Sequence, residues 1–208
     1  MGDPVLDLMG EAIRAASPSW TGYLSTTGVY GDHGGGWVDE TMPPAPNLDR
    51  SRRRLAAEQG WQSLSAHVFR LAGIYGPGRS AIDTIRSGQA KRINKPGQVF
   101  SRIHVEDIAQ AVLASLARPT PGTIYNLCDD DAAPPQEVIA HACRLLGVDP
   151  PPELSWEQAQ SVLSPMALSF YADNKRVSNR RMKEELGVVL KYPTYREGLA
   201  AILNSPGA

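Results

Sequence analysis

Residues 23–58 read YLSTTGVYGDHGGGWVDETMPPAPNLDRSRRRLAAE, and this stretch decides the fold. It opens with an apolar run that closes on three hydroxyls, Ser25, Thr26 and Thr27. A glycine-rich turn follows, then a long proline-bearing loop, then a basic segment with helical spacing. Trp20 to Thr26 reads as a strand, Asn47 to Trp61 as a helix and Leu64 to Ala72 as a second strand. Pro46-Asn47 supplies the stop and cap before the helix. Strand, helix and strand in that order imply a right-handed crossover and parallel pairing. Hydroxyls at the carboxyl end of a parallel strand sit where open α/β sheets bind ligands.

Working outward, Pro4 to Ala16 reads as an amphipathic helix with Asp3 as N-cap and Val5, Leu8, Met9 and Ile13 on one stripe. Gly73 to Gly78 is a loop by composition, and Ala81 to Ser87 a short helix. Gln98 to Ile103 is a strand candidate. Val105 to Ala117 is the clearest helix: Glu106 and Asp107 favour its positive end, Ile108, Val112, Leu113 and Leu116 form its stripe, and Pro119 ends it. Thr123 to Cys128 reads as a strand, and Pro135 to Leu146 as a helix begun by proline and closed by Gly147. Asp149 to Glu153, rich in proline, breaks the chain. Beyond it Trp156 to Leu163, Lys175 to Leu186 and Thr194 to Leu203 read as short helices. The pattern divides the chain into an α/β core, 1–148, and a small, mostly helical region, 149–208.

Composition narrows the function. The chain has 208 residues, 42% hydrophobic and 21% charged, with a net charge of −1. That balance lacks the basic excess a nucleic-acid surface needs. No run is long enough to span a membrane. The first twenty residues show neither a basic leader nor an apolar core, and Met1-Gly2 lacks the hydroxyl at position six of a myristoylation signal. Cys128 and Cys143 fit neither a disulfide framework nor a metal pair, and His33, His67 and His141 lack metal-ligand spacing. Asp129, Asp130 and Asp131 read as a solvated turn rather than a cation site. A soluble cytoplasmic protein without a metal is the expectation.

The run Ser25, Thr26, Val29, Tyr30, Gly31 matches the S-[ST]-x-x-V-Y-G strand end of the extended short-chain dehydrogenase/reductases, the NAD-dependent epimerase/dehydratase family. RLAGIYGPGR (70–79), RIHVEDIAQAV (102–112) and NKRVSNRRMKEELG (174–187) resemble its later landmarks. The resemblance implies a Rossmann-like fold: a partial doubly wound parallel sheet, with residues 149–208 on the substrate side. It implies NAD or NADP as cofactor and a small-molecule or nucleotide-linked substrate bearing a hydroxyl or carbonyl.

By the same resemblance, Thr26 would hydrogen-bond the reacting oxygen. Ser25, Arg54 and the segment Ala72-Gly73-Ile74 would face the cofactor, and Tyr30, Tyr75, Arg79, Arg102 and His104 the substrate. The family's Tyr-x-x-x-Lys falls on Arg50 and Arg54. Arginine stays protonated near neutrality and cannot serve as the base, but it can fork onto a phosphate, carboxylate or ribose. Four apart on a helix, the two would point together at the cleft; the alternative is a solvated basic helix, since Arg52 and Arg53 extend the run. For Thr26 the alternative is a strand end satisfied locally, and for His104 a locally bonded histidine. The literal Tyr171-x-x-x-Lys175 follows no hydroxyl strand and is set aside.

The family opens on a glycine-rich strand-to-helix turn that binds the pyrophosphate, and no such turn follows a strand here. Gly31 to Gly36 reads as a surface loop. The chain therefore resembles the carboxyl-terminal two-thirds of a longer enzyme, and a non-catalytic remnant that binds a ligand or partner is the alternative to an active enzyme. Without a neighbour, Trp20 to Thr26 would be an open sheet edge, through which the chain would form a homodimer or pair with another polypeptide.

Overall fold

The computed structural model describes residues 3–205; the Met1-Gly2 pair lies outside them. The chain starts with α1 (Pro4–Ala16), capped by the Asp3 carboxylate, which accepts from Val5 and Leu6 N–H. Next come β1 (Gly22–Thr26), a 3-10 turn (Thr27–Tyr30), β2 (Trp37–Val38), α2 (Asp49–Gln62), β3 (His67–Leu71) and β4 (Gly73–Tyr75). The middle holds α3 (Ala81–Arg86), β5 (Arg92–Asn94), β6 (Arg102–His104), α4 (Val105–Ala117), β7 (Ile124–Leu127) and α5 (Pro135–Leu146). The last part holds β8 (Glu153–Ser155), α6 (Trp156–Val162), α7 (Pro165–Phe170), β9 (Arg176–Val177), α8 (Arg180–Leu186) and α9 (Tyr195–Leu203).

The central sheet has the order β1-β3-β7, all parallel, with Leu24 beside Phe69 and Phe69 beside Tyr125. This is the expected Rossmann-like α/β fold. Side chains alternate across the sheet. Leu24, Phe69 and Tyr125 face α4, and Ser25, Arg70 and Asn126 face α2. The α4 side is the apolar core, where Phe69, Leu71, Tyr125 and Leu127 meet Ile108, Ala111, Met182 and Leu186. A second cluster packs α3, α5 and α9 together through Ile82, Val138, Ala142, Leu199 and Ile202.

Three of the segments read from the sequence come out differently, and β2, β5, β8 and α7 were not expected. Gly73 to Tyr75 is a strand rather than a loop, paired in parallel with β6, with Tyr75 beside His104. Its glycine-rich setting hid two β-forming residues, Ile74 and Tyr75. The strand sought at Gln98 to Ile103 is confined to Arg102–His104. The Lys175 to Leu186 helix splits into β9, parallel to β2, and α8, because the residues around Asn174 clamp the glycine loop instead of coiling. His33 N–H and Gly35 N–H both donate to Asn174 O, and Asp32 accepts from Asn174 N–H.

Candidate functional site

Two groups of candidate side chains lie at the carboxyl ends of the parallel strands. The first surrounds the end of β1. Thr26 Oγ1 accepts from Gly28 N–H at 3.1 Å and so caps the 3-10 turn. A Cβ at Gly28 would lie 3.3 Å from Thr26 Oγ1 and 3.1 Å from Ser51 Oγ. The two hydroxyls therefore converge on the space this glycine leaves empty. Ser51 is buried, at 4% exposed. Sequence reading missed Ser51. Its only signal was a single hydroxyl inside the run Arg50 to Arg54, on the helix face that also carries buried Glu58.

Ser25 lies on the other face of β1, buried, and its hydroxyl donates to Glu58 Oε2 at 2.7 Å. Glu58 also receives Arg70 through Nε and Nη2, an ion pair with both side chains at most 2% exposed. The Arg70 guanidinium lies over the Tyr30 ring, and Tyr30 Oη donates to Asn126 Oδ1 at 2.8 Å. Ser25 and Tyr30 are thus members of a buried polar network linking α2, β1, β3 and β7.

Arg50 and Arg54 do not point to one target. Arg50 reaches α7, donating to Ser169 Oγ at 2.5 Å, with its guanidinium 4.7 Å from the Phe170 ring centre. Arg54 donates to Leu24 O at 2.9 Å and lies over Tyr23. They lie only about 40° apart round the helix, on either side of buried Trp61, but one turn apart along it, and so they reach different partners. Lys175, from the discounted Tyr-x-x-x-Lys, donates to Gly31 O at 2.8 Å, and burial pushes its ammonium pKa down.

The second group lines a cavity of about 680 Å³ between α3, α5 and α9. Tyr75, Arg79 and Arg102 all line it, with Tyr171 and Tyr195. Arg79 is exposed at this wall. Arg102 donates to Phe100 O at 2.8 Å and Ala133 O at 3.2 Å, and its guanidinium faces the Tyr195 ring. His104 lies just behind, 1% exposed, its ring against Tyr75 and Tyr192. Its Nδ1 accepts from Glu106 N–H, which leaves the proton of the neutral ring on Nε2; burial pushes its pKa down. Burial also raises the Asp129 carboxyl to about 8, and its Oδ2 has no partner among the described residues.

Ala72, Gly73 and Ile74 carry the chain from β3 into β4. Ala72 N–H donates to Leu127 O and Gly73 N–H to Ser101 O, while Gly73 itself is exposed. The α7 segment bridges the two groups: Ser169 holds Arg50, and Tyr171 lines the cavity.

Comparison with known proteins places this geometry. No family model matches the chain. A solved structure of a conserved protein of unknown function from Silicibacter pomeroyi DSS is 58% identical, with a TM-score of 0.90 over 97% of this chain and 72% of that one. The chain belongs to the family of that Silicibacter protein. Protein YeeZ of Escherichia coli K12 is 32% identical over 82% of the chain, which spans 58% of YeeZ. A 3-diazoavenalumate denitrifying reductase of Streptomyces is 28% identical over 91% of the chain, which spans 66% of it. The dTDP-glucose 4,6-dehydratase of Bacillus anthracis, solved with NAD, superposes with a TM-score of 0.74 at 22% identity, covering 93% of this chain and 63% of that one. The fold is therefore the Rossmann fold of NAD-binding dehydratases and epimerases.

Proposed function

We propose that the chain carries the substrate side of an NAD(P)-dependent oxidoreductase or nucleotide-sugar epimerase of the epimerase/dehydratase type, acting on a hydroxyl or carbonyl compound. The observation that carries this reading is the convergence of Thr26 and Ser51 hydroxyls at the end of β1. A two-hydroxyl clamp of this kind suits a substrate oxygen, and the cavity with Arg79 suits the remainder of an anionic, nucleotide-linked molecule.

NAD(P) fits the chain in part. The exposed Gly73 backbone at the end of β3 admits a flat ring closely, and the cofactor would supply hydride transfer there. No glycine-rich turn opens a helix among the described residues to hold its pyrophosphate. Gly31 to Gly36 leads into β2, not a helix. Within the chain itself, Thr26 and Ser51 would orient the reacting oxygen, and neither hydroxyl ionises near neutrality. Tyr75 would position the substrate, its phenol kept protonated because burial raises its pKa.

A second reading is a ligand-binding protein without chemistry. It is favoured by Arg50 and Arg54, which occupy the expected acid/base positions yet bind protein groups.

Calorimetry with UDP-glucose, dTDP-glucose, NAD and NADP tests the proposal. We expect a nucleotide sugar to bind, Arg79→Ala to weaken it by about 1.5–3 kcal/mol, and NAD(P) alone to bind no tighter than high micromolar. Absence of any nucleotide-sugar binding to the folded chain, or indifference to Arg79→Ala, would overturn it.

A further inference from the structure

One face of α7 is set against a single cation. Met166, Ser169 and Phe170 are three and four residues apart, which puts them on one side of the helix. All three meet Arg50 of α2. Its Nη1 donates to Ser169 Oγ at 2.5 Å and reaches Met166 Sδ at 3.5 Å, and its guanidinium lies 4.7 Å from the Phe170 ring centre. An Nη nitrogen of arginine carries two N–H groups, so one serves the serine while the other is left for the sulfur. A thioether is only a weak acceptor, and this second donor is poorly matched.

Met166 is also open to solvent, at 61% exposed, and Met9 of α1 is similar at 51%. Met42 is partly buried and Met182 fully buried, so a peroxide in solution reaches Met166 and Met9 ahead of those two. Hydrogen peroxide converts a thioether into a sulfoxide. An S–O bond forms, the peroxide O–O bond breaks, the sulfur gives up two electrons and water leaves. The oxygen gained is a polar acceptor where the sulfur was a poor one. What sets Met166 apart from Met9 is the guanidinium at its sulfur. There the new oxygen arises beside the poorly matched N–H of Arg50, and the unbranched, exposed side chain has the freedom to aim it.

We propose that Met166 is a redox-sensitive latch: its sulfoxide accepts from Arg50 and fastens α7 to α2. Ser169 keeps its own N–H, so the new bond adds to the existing one. Two thiols, acting through a sulfoxide reductase, reverse the step and yield the thioether, a disulfide and water. Tyr171 closes the end of α7 and lines the cavity. Fastening the helix therefore stiffens that wall and slows exchange of a ligand held behind it. The inference does not depend on the reaction proposed above, because neither the oxidation nor the latch needs a substrate.

The test treats the 208-residue chain with hydrogen peroxide, follows each methionine by mass spectrometry and measures amide hydrogen exchange over residues 164–171. We expect Met166 sulfoxide to slow exchange there by about tenfold, the scale of a hydrogen bond to a charged group. Met166→Leu should remove the response to peroxide, and Met9→Leu should keep it. In Arg50→Ala, oxidation should leave exchange at that variant's own rate. Resistance of Met166 to peroxide that oxidises Met9 would overturn the proposal. So would exchange that is unchanged or faster in the Met166 sulfoxide, or a slowing that survives in Arg50→Ala.

Discussion

Glu58 concentrates the energetic risk of the buried network. It is fully buried and accepts from Ser25 and from Arg70, itself 2% exposed. Removing one member of a buried ion pair leaves the other charge without compensation. Glu58→Ala should therefore lower stability by about 3–5 kcal/mol, and Ser25→Ala, which removes one hydrogen bond, by about 1 kcal/mol. Urea unfolding decides between them; equal small losses would mean the pair is not closed in solution. Asp129 gives a pH signature. Its carboxyl titrates near 8 because burial penalises the charged form, well above the ordinary 3.8. The folded state then holds a proton that the unfolded state releases, so this contribution is complete below about pH 4 and lost as pH rises towards 8. At about 1.4 kcal/mol per pH unit, the loss between pH 5 and 8 is bounded at about 4 kcal/mol. Asp129→Asn should flatten that slope in melts at pH 5, 6.5 and 8, and an unchanged slope would contradict the assignment.

Among the elements, α7 depends most on a single contact. It has six residues, none of them buried, and too few turns to be stable alone. Arg50 holds it through Ser169 and the Phe170 ring. Arg50→Ala should speed amide exchange over residues 164–171 by about tenfold, whereas Arg53→Ala should not. Equal exchange in both variants would place the anchor elsewhere, at the Tyr171 contacts with Phe100 and Trp156. Because Tyr171 lines the cavity, loosening α7 would also open the substrate side. The arginine expected to do chemistry thus fastens a wall of the site.

For the whole molecule, strand pairing ties the two sequence regions together. The β2–β9 and β5–β8 pairs join residues on either side of position 149, and α9 packs on α5. The carboxyl-terminal region completes the cavity wall through Tyr171, Tyr195 and Leu199. The main sheet ends at β1, beside which Leu24 and the α1 residues Val5, Leu8 and Met9 stay exposed.

The sequence by itself determined the long helices and the parallel order. Pro4–Ala16, Val105–Ala117 and Pro135–Leu146 begin and end where Asp3, Pro119 and Gly147 predict, because caps and helical periodicity are local. The hydroxyl strand, its crossover helix and the partner strand were legible for the same reason. Only the tertiary structure decided the two- and three-residue strands, which are too short to carry a period and form only when a distant partner supplies hydrogen bonds. It alone decided that Ser51 lies beside Gly28, next to the Thr26 hydroxyl, while Arg50 and Arg54 reach α7 and Leu24 O. A shift of one residue rotates a helix by 100°, and spacing read along a chain cannot fix that rotation until the helix is docked on its sheet.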